Sequence, residues 1–121
     1  MTIEIKNAVI ESTRLGYDHG FLSAWVFLDY GGAGQGFGGY ALMSLEGSPY
    51  REKSEQGPSY AGVFIDSILD VVGVEQWEDL KGKSVRVKAS LTNVEAIGHF
   101  IKDKWFSPRE KFESMKACDN A

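Results

Sequence analysis

Between residues 59 and 73 the apolar side chains recur at helical spacing. Ala61, Phe64, Ile65, Ile68, Leu69 and Val72 fall at i, i+3, i+4, i+7, i+8 and i+11, on one stripe of a 3.6-residue helix. Asp66, Ser67 and Asp70 take the other side, Ser59 is placed to cap the first turn, and Gly73 suits the left-handed residue that ends a helix. A lone stripe of this kind has to be buried, and the flanking segments read as strands. The helix is therefore expected to pack across one face of a mainly antiparallel sheet.

Those strands can be placed. Ile3, Ile5 and Val9 share one alternation and Ala8 and Ile10 the other, so residues 2–11 read as a strand bulged where the alternation slips. A polar turn is expected at 16–20. The next ten residues, FLSAWVFLDY, are apolar on both alternations, which predicts a central strand covered on both faces. Residues 40–45 complete a third strand, and the polar stretch 44–58, with two prolines, is the longest loop and is expected to be mobile. Residues 74–80 suggest a short helical turn closed by Gly82. Val85, Val87, Ala89 and Leu91 alternate with Arg86, Lys88 and Ser90, and Thr92-Asn93 turns this strand into a hairpin with 94–101. Ser107-Pro108-Arg109-Glu110 combines a cap, a proline at the first helical position and a glutamate, predicting a helix over 108–118 with Phe112 and Met115 on one face. The expectation is one α+β domain over residues 1–121, with about five strands, one long amphipathic helix on one face and a short C-terminal helix. A chain of 121 residues with 43% hydrophobic content suits that size.

Several function classes are disfavoured. The single cysteine, Cys118, cannot form an internal disulfide. The first residues lack the order of a signal peptide, and no apolar run approaches the roughly 18 residues of a spanning helix, so a cytoplasmic, non-membrane protein is expected. A net charge of −4 does not by itself draw the chain to nucleic acid or membrane. His19 and His99 lie too far apart in sequence to suggest a metal site, and neither Cys118 nor the carboxylates Asp18, Asp29, Glu75, Glu78 and Asp79 form a catalytic pattern. No enzyme activity, metal or cofactor is expected.

Six of the fourteen glycines lie between residues 31 and 39. Gly34, Gly36 and Gly39 match G-x-G-x-x-G, but the residues that follow, YALMSL, do not open a helix, so the dinucleotide reading fails on context. The plainer reading is a turn or strand needing positive φ or close backbone approach. Glycines also leave backbone N–H groups accessible beside aromatic faces. Tyr30, Gly34, Gln35, Gly36, Phe37 and Tyr40 thus form a candidate site for an anion, a flat ligand such as a nucleotide, or a partner's backbone. A second candidate surface interleaves basic and aromatic residues: Lys102, Lys104, Trp105, Phe106 and Arg109. It suits nucleic-acid contact, or anchoring of the tail to the core or to a second copy in a homodimer.

Three segments, LDYGGAGQGFGGYAL (28–42), VGVEQWEDLKGK (72–83) and AIGHFIKDKWFSP (96–108), together resemble a family of small, largely uncharacterised proteins encoded by tailed bacteriophages and prophages. The resemblance implies an accessory protein made in a bacterial host's cytoplasm. By analogy with such proteins, it implies binding and inhibiting a host protein, as an anti-CRISPR-like counter-defence factor does. The alternatives are an oligomeric nucleotide-sequestering protein using residues 30–40 and a nucleic-acid binder using 102–111.

Overall fold

A computed structural model describes residues 2–18, 20–40, 43–44 and 60–119 of the chain. Strand β1 (Glu4–Asp18) runs beyond the expected end at residue 11, through most of the segment read as a turn, and hairpins into β2 (Phe21–Asp29). β3 (Gly34–Gly38) pairs with β2, and so does the two-residue β4 (Met43–Ser44). The chain then forms α1 (Tyr60–Val72), a 3-10 turn (Trp77–Leu80), β5 (Ser84–Ala89), β6 (Val94–His99), β7 (Trp105–Phe106) and α2 (Pro108–Asp119). Among the described residues all strand pairings are antiparallel, in the order β3-β2-β1-β5-β6-β7.

The α+β class is as expected, and the strand count is corrected upward. β4 and β7 are too short to show an alternation pattern. The third strand lies within the glycine run read as a turn, and β4 falls in the expected 40–45 span, of which residues 40, 43 and 44 are described. The Ser59 cap and all of the 44–58 loop except Ser44 fall outside the described residues.

β1 holds the sheet together. Residues Glu4 to Val9 pair with β5 and Val9 to Asp18 with β2, and a bulge between Ile10 and Ser12 marks the changeover. Bulges add twist and bend the strand. Beside it, Ile10 N–H donates to Lys83 O at 2.9 Å and Gly82 N–H to Ile10 O at 2.7 Å. The sheet curls until β3 lies against β6. Gln35 ties that seam, its Nε2 donating to Ser90 O at 3.1 Å and to Leu91 O at 3.2 Å.

The inside of the curl is the core. Ala8, Ile10, Ala24, Val26, Leu28, Phe37, Val85, Val87 and Ile97 are buried there against Phe64, Ile68 and Val71 of α1. The buried line of the helix runs Tyr60, Phe64, Ile68, Val71, with Ala61, Leu69 and Val72 flanking it, so the predicted stripe is rotated slightly. Phe64 meets Phe37 at 6.0 Å and Phe106 at 5.7 Å between ring centroids. Burying each such ring contributes about 1.5–3 kcal/mol. Gly73, at φ +88°, ends α1, and its N–H and that of Val74 both reach Leu69 O. Among the described residues, no helix is long and apolar enough to cross a membrane.

Candidate nucleic-acid interface

The apolar run of β2 was expected to be covered on both faces, and only one face is. Ala24, Val26 and Leu28 point into the core, while Trp25 and Phe27 point outward. The Trp25 and Phe27 rings are nearly parallel, 5.9 Å apart at an interplanar angle of 7°. What lets them lie there is the neighbouring strand. Gly34, Gly36 and Gly38 recur at period two on β3 and pair in register with Asp29, Phe27 and Trp25. A Cβ at Gly36 would sit 2.9 Å from Trp25 Cε3, and one at Gly39 would collide with the same indole. Gly38 and Gly39 both have positive φ, and Gly39 N–H donates to Ala24 O. Gly36 and Gly39 make room for a flat aromatic shelf. Arg14 stands opposite Trp25 on β1.

This accounts for most of the first predicted site. Phe37, offered there as an aromatic face, is fully buried and belongs to the core. Gln35 is committed to the seam, its Oε1 accepting a 2.6 Å hydrogen bond from the Tyr30 hydroxyl. Gly34 packs against the Leu28 carbonyl, where a Cβ would approach within 2.7 Å. Tyr30 is half-buried beneath Lys6, whose Nζ stands 5.3 Å from the ring centroid, and burial pushes its phenol up. Tyr40 is half-buried, its ring against Phe64 and Phe112. It lines a cleft of about 620 Å³ with Asn93, Glu95, Arg109 and Phe112. Burial raises its phenol; Arg109 pulls it back down and Glu95 pushes it up.

The second predicted surface does not form one face. Phe106 is buried in the core, as an anchor for the tail would be. Arg109 joins Tyr40 at the cleft, so one residue from each predicted site meets there. Lys104 reaches back to α1, with Nζ 3.1 Å from Asp70 Oδ1. The backbone of Lys102 is held by the loop: its N–H donates to His99 Nδ1 at 2.9 Å and its carbonyl accepts from Arg86 at 2.8 Å. Trp105 points outward from β7, and its ring meets Arg86 and Lys88 of β5.

Trp25, Phe27, Arg86 and Lys88 were not among the predicted site residues. The signal for the first two was the period-two glycines beside an i, i+2 aromatic pair. Arg86 and Lys88 were visible only as the polar alternation of a half-buried strand.

Among the described residues, no group of three or more His, Cys, Asp or Glu is arranged to hold a metal ion. No protein-family model, curated protein or solved structure matches the chain.

Proposed function

We propose that the protein binds single-stranded nucleic acid on the outer face of its curled sheet. The observation that carries this is the Trp25–Phe27 shelf, two parallel rings, with the indole lying where Gly36 and Gly39 have no side chain. Such a surface offers π-faces to bases of any sequence, and stacking on an aromatic side chain contributes about 1–3 kcal/mol per base. The architecture agrees with the reading. Three antiparallel strands, a helix and a further hairpin wrap into a partly closed barrel around a shared first strand, as in OB-folds, whose strands 2–3 face binds oligonucleotides. The net charge of −4 is an average over the chain and leaves Arg14 beside the shelf.

The test is fluorescence anisotropy with a labelled oligothymidylate at low salt. Trp25→Ala is expected to weaken binding by about 5-fold to about 150-fold, the equivalent of one stacked base. The proposal fails if the protein ignores the oligomer, or if folded Trp25→Ala binds it as well as the parent.

A second reading, a phage accessory protein that inhibits a host protein, draws on the exposed apolar end of the β1–β2 hairpin. Leu15, Tyr17 and Phe21 are each more than two-fifths exposed there. It predicts that a host polypeptide co-purifies with the protein and is lost from a Tyr17→Ser, Phe21→Ser variant. Nucleotide sequestration draws less support, because Glu95, Glu110 and Glu113 outnumber Arg109 around the cleft and repel phosphate.

A further inference from the structure

The outer surface of β5–β7 carries a cluster that the aromatic shelf does not use. The Trp105 indole lies flat on β6 over Gly98, where a Cβ would come within 2.5 Å of its Cε3. Two cations from β5 stand against the ring, Lys88 Nζ 4.6 Å and Arg86 Cζ 5.1 Å from the centroid. Arg86 is fixed further, donating from Nε to His99 O at 2.9 Å and from Nη2 to Lys102 O at 2.8 Å. The carboxylate at this indole, Asp103, accepts from Nε1 at the ring edge, 3.1 Å away. In register with Lys88 and Arg86 stand neutral residues, Ile5 and Asn7 on β1 and Ala96 and Gly98 on β6.

The physical consequence lies in how the charges are held. A carboxylate that fixes a lysine also cancels its charge, as Asp70 does for Lys104. An indole fixes a cation through its quadrupole and carries no net charge, so the ring itself does not neutralise the cation. Among the described residues, neither Lys88 nor Arg86 has a carboxylate within ion-pair distance. The pair forms a positioned doublet of positive charge with no direct ion pair, the Asp103 carboxylate standing at the ring edge. Lys88 keeps its ammonium donors for a ligand, whereas Arg86 has committed two of its five N–H groups to the loop.

We propose, resting on the nucleic-acid reading above, that Lys88 and Arg86 seated on Trp105 are a backbone-phosphate contact for the same single strand. The strand leaves the Trp25–Phe27 shelf, passes over β1 and reaches β5. Because β1 separates the two places, a short oligomer occupies the shelf alone, and only a longer one touches both.

The experiment measures the salt dependence of oligothymidylate binding for the parent, Lys88→Gln and Lys104→Gln, with oligomers of about 4 and about 16 nucleotides, the range that one OB-fold covers. With the longer oligomer, Lys88→Gln is expected to reduce the slope of log K against log salt by about 0.7, the loss of one phosphate contact on a single strand. Lys104→Gln is expected to leave the slope unchanged, and neither variant alters binding of the short oligomer. If the parent binds but Lys88→Gln keeps its slope, or Lys104→Gln lowers it equally, the phosphate contact is overturned and the shelf stands. If the parent binds no single strand at all, both proposals fall together.

Discussion

Gln35 lies in the middle of the most conspicuous glycine run, and replacing it separates a structural role from a ligand-binding one. Its side chain makes three hydrogen bonds: from the Tyr30 hydroxyl at 2.6 Å, and to the carbonyls of Ser90 and Leu91. They do not count equally. Leu91 is 90% exposed, so water replaces Gln35 at that carbonyl at little cost, whereas Ser90 is 6% exposed. With about 1 kcal/mol net for each of the two protected bonds, Gln35→Ala should lose about 2 kcal/mol. For a domain of this size that lowers Tm by roughly 8 °C. Tyr30→Phe should lose about 1 kcal/mol, and the double variant should be about 1 kcal/mol more stable than the sum of the two losses implies, because they share a bond. Urea unfolding followed by tryptophan fluorescence gives all three values. A Gln35→Ala loss below about 0.5 kcal/mol, additive with Tyr30→Phe, would refute the seam role. If the same variant instead abolished binding at unchanged stability, Gln35 would return to the ligand site.

Two further predictions concern the rest of the fold. Gly98→Ala places a Cβ 2.5 Å from the Trp105 ring, so the indole must lift off the sheet. A loss of about 1–3 kcal/mol is expected, with a shift in tryptophan emission, and an unchanged melt and spectrum would count against the packing described. In alkali, Tyr30 and Tyr40 hold their protons above the ordinary value of 10.0 because they are desolvated. Over the window between that value and their folded ones the native state binds more protons than the unfolded state. Stability should therefore be level below about pH 10 and fall as pH rises through the folded values. Phenolate absorbance that rises in one step with exposed tyrosines would contradict this.

The sequence revealed the parts of the fold whose periodicity has one physical cause. α1 was legible because its stripe faces a single core and Gly73 terminates it. The β5–β6 hairpin was legible because one of its faces is dry. β2 misled because exposed aromatics and buried aliphatics both count as apolar: Trp25 and Phe27 read as a second buried face, yet a stacking surface has the same composition. β3 misled in the opposite sense, since its glycines carry the turn signature while pairing in a strand, and Gly36 with the following Gly39 leaves room for the Trp25 ring. Tyr40 and Arg109 come together from distant segments, and Arg86 and Lys88 reach Trp105 only through strand pairing. Spacing along one chain carries no trace of either meeting.

The double duty of β1 also bears on how the chain acquires its fold. Its C-terminal half closes a hairpin within a few residues, Asp18 opposite Phe21, while its N-terminal half waits for a partner 85 positions later, Glu4 opposite Ala89. Local pairing is fast and distant pairing slow, because the loop entropy must be overcome before the contact rewards it. On a ribosome adding about 5–20 residues per second, the first half of β1 spends roughly 4–17 s as a bare sheet edge, open to pairing with another chain. The bulge beside Glu11 then sets which residues of β1 meet β5 when it arrives. A slip of one place would turn Ala8 and Ile10 out to water and Val9 in.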